Sequence, residues 1–202
     1  MTETGQDGEG AFLSSYFKDL PPDERFLVDV GAYGKEFSNS WGLLSEGWKG
    51  LLIDANPLRV SAIESDFAGL DFKLLNIAIG NQNATDKLYI HNRIGSSSLL
   101  PDWSPEGKTG QVIDVSVRVF AEVLRENSVP SNFPLLSIDT EGMDKEILDV
   151  LLKTEFKPRV ILTEAFSYGS DTKAVLFFLN YGYRFVNRFE IGNPWGNMMF
   201  AR

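Results

Sequence analysis

Residues 26–57, FLVDVGAYGKEFSNSWGLLSEGWKGLLIDANP, read as strand, tight turn, helix and strand. Phe26, Leu27 and Val28 form a short apolar run, with Asp29 and Gly31 at its carboxyl end. A continuous apolar run closed by a turn is the pattern of a buried parallel strand. Gly31 and Gly34 allow backbone angles that other residues resist, and they let a ligand approach the main chain. Ser38 or Asn39 can cap a helix running to about residue 46, which Gly47 can end. Leu51, Leu52 and Ile53 form the second apolar run, closed by Asp54, 23 residues past Gly31. An acid at the tip of the second strand, about 20 residues after a glycine turn, is where nucleoside-binding folds hold ribose hydroxyls. The bland alternative is a glycine turn of any α/β protein, with Asp54 as a helix cap before Pro57. Tyr33 occupies the place of the second glycine of G-x-G-x-x-G. That argues against a pyrophosphate on this turn and leaves room for a nucleoside without phosphate, such as S-adenosylmethionine.

The 202-residue chain has the size of one domain, 43% apolar and 23% charged, and long enough to bury a core. Its formal charge of −9, without a Lys/Arg cluster, disfavours a nucleic-acid partner. It has no cysteine, so no disulfide, thiolate metal site or Cys nucleophile is available. No apolar run approaches the roughly 18 residues of a membrane span, and the acidic, glycine-rich start is the reverse of a signal peptide. The expectation is a cytoplasmic protein with no membrane partner, with residues 1–9 as a disordered tail and residues 10–202 as one domain.

Phe12, Leu13, Tyr16, Phe17 and Leu20 have helical spacing, so residues 10–20 suggest a helix that packs on the core or covers the edge of a pocket. Residues 57–67 read as a helix, 72–78 as a third strand and 87–91 as a short, perhaps antiparallel, strand. Asn76 falls near the end of the third strand, where an adenine base lies in such sheets. Residues 92–110, rich in Ser, Gly and Pro, read as a long loop. Its Ser96, Ser97, Ser98 and Trp103 are candidate substrate contacts; the alternative is a solvated serine turn. Strands follow at 112–119, 134–138 and 159–162, helices at 120–127, 143–153 and 170–181, and a closing strand pair at 183–188 and 198–201. The alternation implies a doubly wound α/β fold: a mostly parallel sheet with helices on both faces.

Asp29, Asp54, Asp139 and Glu164 each follow an apolar run, which puts four acids on the rim where such sheets bind ligands. Helix capping is the alternative for each. Asp139 is separated from the next helix by Thr140, Glu141 and Gly142, which favours a general base, or a divalent cation site shared with Glu164. His91, the one histidine, is a second candidate base or a surface residue.

VDVGAYGKEFSNSWGLLSEGWKGLLIDANP at 28–57, NIAIGN at 76–81, SSSLL at 96–100 and LLSIDTEGMDKEIL at 135–148 together resemble FkbM-type S-adenosylmethionine-dependent methyltransferases over about residues 26–188. The resemblance implies a seven-stranded, Rossmann-like class I methyltransferase fold and methyl transfer to oxygen, commonly a sugar hydroxyl of a glycan or secondary metabolite. By it, Gly31 receives the methionine part of the cofactor, Asp54 takes the family's acidic ribose position, and Asn76 to Ala78 flank the adenine. Asp139 and Glu141 match the family's D-x-E-G block beside the transferable methyl. The candidate cofactor set is thus Asp29, Gly31, Tyr33, Ser38, Asn39, Asp54, Ala55, Asn76, Ala78 and Asp139. The candidate catalytic set is Asp139, Glu141 and His91, with Mg²⁺ at Asp139 and Glu164 as an additional possibility. The glycine turn is one residue shorter than the family's V-D-x-G-A-N-D-G, and Met143 follows the D-x-E-G block. Two other readings remain: an NAD-dependent oxidoreductase, disfavoured by the missing glycine and the lack of a Tyr-x-x-x-Lys pair, and a non-catalytic binding fold, disfavoured by the acids on the rim.

Overall fold

The computed structural model describes residues 8–91, 96–103, 108–190 and 196–202. Its helices are α1 (Glu9–Tyr16), α2 (Trp41–Ser45), α3 (Val60–Asp66), α4 (Phe120–Glu126), α5 (Asp144–Leu151) and α6 (Asp171–Asn180). Its strands are β1 (Phe26–Val30), β2 (Lys49–Ile53), β3 (Asp71–Leu75), β4 (Ala78–Gly80), β5 (Ala84–His91), β6 (Ser97–Ser98), β7 (Lys108–Val119), β8 (Leu135–Ile138), β9 (Val160–Glu164), β10 (Arg184–Arg188) and β11 (Asn197–Ala201).

Seven strands form the main sheet in the order β10-β11-β9-β8-β1-β2-β3. β3, β2, β1, β8 and β9 run parallel, and β11 enters antiparallel between β9 and β10. The expected doubly wound sheet therefore holds in a coarser form, an α/β fold with a mixed sheet. The central strands read as unbroken apolar runs because both of their faces are buried. Val28, Val30, Leu51, Ile53, Leu136 and Ile138 pack with Leu124, Leu148 and Phe178 of α4, α5 and α6. Leu27, Leu52 and Leu135 point the other way, onto Leu13, Leu43, Ile63 and Phe67 from α1, α2, α3 and the turn after α3.

A second sheet, β4-β7-β5-β6, corrects two expectations. Residues 72–78 are not one strand: β3 ends at Leu75, and Ala78 opens β4 in the second sheet, parallel to β7. The break falls at Asn76, whose side chain donates to the Asp54 carbonyl (2.8 Å), so the chain leaves the ladder there. Ser97 and Ser98, expected in a loop, pair with Ile90 and Tyr89 as β6, and residues 108–110 belong to the long β7. Residues 92–95 and 104–107 of that expected loop lie outside the described residues, as do residues 1–7 of the expected tail. Glu9, assigned to the tail, is the buried first residue of α1. Among the described residues no helix is long and apolar enough to cross a membrane.

Candidate active site

The sheet's backbone ladder continues past the strand ends and fixes the rim. The amide of Gly31 donates to Ile53 O (2.8 Å), that of Asp54 to Leu75 O (3.1 Å), and that of Asp139 to Val30 O (2.9 Å). These bonds set Asp54, Gly31 and Asp139 side by side at the carboxyl ends of β2, β1 and β8. Above them opens a cleft of about 1130 Å³, its mouth included, lined also by Ala55, Ala78 and Glu164. Gly31, at φ +88°, is required by closeness to protein as much as to any ligand: a Cβ there would lie 1.9 Å from the Asp139 carbonyl oxygen. Gly34 corrects an expectation, because at φ 161° it is ordinary extended chain. The second left-handed residue of the turn, after Gly31, is Tyr33, at φ 45°.

Asp54 is buried. Its Oδ2 accepts from the Tyr33 amide (3.1 Å) and its Oδ1 from the Asn56 amide (2.8 Å). Burial raises its pKa, and these two donors together with Arg59 pull it back. Each oxygen keeps lone-pair capacity for a hydroxyl in the cleft. The Arg59 guanidinium stacks 3.8 Å from the Tyr33 ring centroid and donates to the Tyr33 hydroxyl. Tyr33 and Phe37, with ring centroids 5.2 Å apart, form an aromatic wall on this side of the cleft. Asn76 does not line the cleft; it braces the Asp54 carbonyl, and Ile77, Ala78 and Ile79 supply the apolar lining.

Two residues of the candidate cofactor set lie below the floor. Ser38 is buried and caps the next helix, accepting from the Ser40 and Trp41 amides (3.0 and 2.9 Å), whereas Asn39 reaches the cleft. Asp29 is buried, and its Oδ2 has no hydrogen-bond partner. Desolvation pushes its pKa up to about 6, against the Ser40 and Ser137 hydroxyls, which lower it. The folded protein thus keeps a proton that the unfolded chain releases near the ordinary aspartate value of 3.8. The associated stability is present below that value and is lost as pH rises through about 6. At about 1.4 kcal/mol per unit, this one group accounts for at most roughly 3 kcal/mol. We expect Asp29→Asn to flatten the fall in urea-unfolding free energy between pH 4 and pH 7; parallel curves for the two proteins would refute the assignment.

The loop after β8 carries Asp139, Thr140 and Glu141 into the cleft. It is clamped from two directions. From below, the fully buried Asp144 carboxylate accepts from the Thr140 amide (2.8 Å) and hydroxyl (2.6 Å), and from the Thr163 hydroxyl (2.9 Å). Burial, and next the nearby Asp139 carboxylate, raise the Asp144 pKa. From above, the Ser98 hydroxyl donates to Glu141 O (2.7 Å) and Trp103 Nε1 to Glu141 Oε2 (2.5 Å). Gly142 sits so close under Trp103 that a Cβ would meet the ring at 2.4 Å.

Of the four candidate substrate contacts, Ser97 alone lines the cleft. Ser98 and Trp103 brace the loop, and Ser96 is buried with its hydroxyl unpartnered. His91 is neither a surface residue nor part of the cleft lining. The β5–β7 register shifts between Tyr89 and His91, and the imidazole is buried with both ring nitrogens unpartnered. It has no path to an acceptor in this cleft, so the candidate base on geometry is Asp139.

Sequence reasoning missed Phe37, Leu88, Leu99, Met143 and Asn197 on the cleft wall. Leu88 and Leu99 belong to the second sheet and its margin, which local periodicity does not announce. Asn197 pairs with Glu164 across β11 and β9, and its Nδ2 donates to the buried Glu9 of α1 (3.0 Å). The expected α1 thus packs on the core and meets the cleft only through the Asn197 side chain.

Among the described residues, no group of three or more His, Cys, Asp or Glu is placed to hold a metal ion. Asp139 and Glu164 both line the cleft, and beyond that pair the described residues give the Mg²⁺ expectation no support. The features suited to an adenosine-bearing cofactor are present: an acid with spare acceptor capacity at the tip of β2, a glycine turn beside it, and an apolar wall at Ile77 to Ile79.

The strand order, with one antiparallel strand entering beside β9, and a cleft at the carboxyl ends define a class I S-adenosylmethionine-dependent methyltransferase fold. The solved structures it resembles include an O-methyltransferase from Bacillus cereus in complex with SAH (TM-score 0.53, 11% identity, covering all of this chain and 84% of that one). Others are precorrin-6y C5,15-methyltransferase from Geobacter metallireducens GS-15 (0.51, 16%, covering 96% and 87%) and fibrillarin from Aeropyrum pernix with natively bound S-adenosyl-L-methionine (0.50, 11%, covering 95% and 74%). No curated protein sequence gives a significant match. The methyltransferase FkbM domain matches residues 29–185, and the chain belongs to that family of S-adenosylmethionine-dependent methyltransferases.

Proposed function

We propose that the chain transfers a methyl group from S-adenosylmethionine to a hydroxyl of a small-molecule or glycan acceptor, with a sugar ring as the acceptor class. The observation that carries this reading is the juxtaposition at the rim: Asp54 on one side of Gly31 and Asp139 on the other, in one cleft. When bound, S-adenosylmethionine supplies a methyl carried on a sulfonium, an electrophile with a neutral leaving group. Asp54 holds the ribose hydroxyls on the lone pairs that Tyr33 and Asn56 leave free. Asn39, Gly31 and Tyr33 cradle the amino-acid end, and Ala55, Ile77 and Ala78 enclose the base. Asp139 takes the proton of the acceptor hydroxyl as it attacks, which is needed because a neutral alcohol is a weak nucleophile. Glu141, pinned by Trp103, orients the acceptor from the opposite wall. Holding acceptor and methyl in line supplies up to about 7–11 kcal/mol of the barrier reduction. A cysteine-free chain with strongly acidic balance suits a cytoplasmic setting and an uncharged or cationic acceptor rather than nucleic acid.

The test is calorimetric titration with S-adenosylmethionine and, in parallel, NAD, each repeated on Asp54→Ala. We expect micromolar binding of S-adenosylmethionine alone, weakened at least tenfold in the variant, about 1.4 kcal/mol. Binding of NAD instead, or equal affinity of the variant, would overturn the assignment of the site.

A further inference from the structure

Asn197 and Glu9 both lie outside the residues 29–185 matched by the family, yet Asn197 lines its cleft and Glu9 holds the Asn197 side chain. Glu9 is fully buried, 0% exposed, on the first turn of α1. Its Oε1 receives a hydrogen bond from Asn197 Nδ2 at 3.0 Å. That carboxyl oxygen accepts, so the contact fixes which end of the Asn197 amide faces it. The NH₂ group is turned to Glu9, and the carbonyl Oδ1 is turned away. Among the described residues nothing donates to that oxygen, and Asn197 is half-buried on the cleft wall.

Its position across the sheet assigns the partner. Asn197 opens β11 opposite Glu164 of β9, and β9 adjoins β8, which ends beside Asp139. Two strand spacings place it about 10 Å from the Asp139 end of the cleft. The ribose acid Asp54 lies on the far side of β1, so Asn197 is on the acceptor's side.

Resting on the methyltransferase reading above, we propose that Asn197 Oδ1 is an acceptor-binding group that takes a hydrogen bond from a second hydroxyl of the acceptor, apart from the one methylated. Glu9 is its positioning residue, acting on the acceptor through the orientation of this amide. Glu9→Gln has nearly the same shape but can donate, so it removes the constraint and lets Asn197 turn its NH₂ to the cleft. A hydroxyl can still accept there, but the acceptor loses the preferred partner.

The experiment measures methyl transfer from labelled S-adenosylmethionine to methyl hexopyranosides and their monodeoxy analogues. Proteins compared are wild type, Asn197→Ala, Glu9→Gln and the double variant, with S-adenosylmethionine affinity and Tm measured on each. We expect Asn197→Ala to raise acceptor KM at least tenfold, with kcat within about threefold and cofactor affinity unchanged. Glu9→Gln should raise KM in wild type and add nothing in the Asn197→Ala background, because both changes act on one contact. One monodeoxy analogue should be a poor acceptor for wild type and lose nothing further with Asn197→Ala. Unchanged KM, or a cofactor affinity that falls with it, overturns the inference while wild-type turnover leaves the methyltransferase reading standing. Additive effects of the two single variants overturn Glu9's role even if Glu9→Gln is destabilised, since Asn197→Ala is read independently. Failure of wild type to bind S-adenosylmethionine overturns the underlying reading, and this inference with it.

Discussion

Asp139→Asn is expected to reduce methyl transfer by about 10²- to 10⁴-fold, the usual yield of a positioned general base, while S-adenosylmethionine affinity stays within about threefold. The separation follows from what the side chain does and does not hold. The bond that fixes this part of the chain is the Asp139 amide to Val30 O at 2.9 Å, and it is backbone. The side chain's bond from the Glu141 amide is long, 3.5 Å, and an amide oxygen can replace it. The loop is held by Asp144 below and by Ser98 and Trp103 above, none of which changes. Asparagine therefore keeps the volume and the loop and loses the basic oxygen. It also removes a negative charge that raises the pKa of buried Asp144, so the variant should fold at least as stably as wild type. Initial rates at saturating cofactor, set beside a cofactor titration, give the answer. Turnover within threefold of wild type would move the base to another group, and a parallel loss of cofactor affinity would make Asp139 a binding residue.

How much of this was legible depended on the range over which each feature is decided. The four rim acids were legible because each is the polar residue that ends a buried apolar run, and a parallel sheet places all such ends on one side. Asp54, Asp139 and Glu164 do line one cleft, while Asp29, one residue short of its strand's end, is buried beneath it. The second sheet was illegible because its register is set by pairings such as Ala84 with Val117, far apart in sequence. Residues 72–78 read as one strand because apolar content does not record that Asn76 takes the Asp54 carbonyl and breaks the ladder. His91 is a polar residue beside a loop, so exposure is the natural expectation; it lies just past a two-residue shift of the β5–β7 register and is buried. Of the turn's two glycines, Gly31 was read correctly, whereas its second left-handed residue is Tyr33 and not Gly34, held by the Asp54 contact and the Arg59 stack. Asn197 could not have been found from sequence, because the residue that orients it is 188 positions away.

Gly31→Ala should be the most damaging single methyl group that can be added to this chain, and a matched control makes the expectation sharp. At Gly31 a Cβ would sit 1.9 Å from the carbonyl oxygen and 3.0 Å from the carbonyl carbon of Asp139, at φ +88°. Both atoms are backbone, on a strand end tied to Val30 by its own hydrogen bond, so neither can rotate aside. Relief requires the carboxyl ends of β1 and β8 to separate. Gly47 has nearly the same φ, +86°, and nothing within 4 Å of its would-be Cβ. Gly47→Ala thus isolates the cost of the left-handed backbone, about 1 kcal/mol. We expect Gly31→Ala to exceed that by at least about 3 kcal/mol, in the range reserved for disrupted cores, and to abolish cofactor binding in whatever fraction folds. Urea unfolding of the two variants beside wild type measures the difference directly. If both lose about the same, Asp139's strand end is free to move, and the closeness of β1 and β8 is not what holds the base beside the glycine turn. If Gly31→Ala alone collapses, one glycine serves both ends of the argument, because the missing side chain that lets the sheet close is also what brings Asp139 alongside the turn.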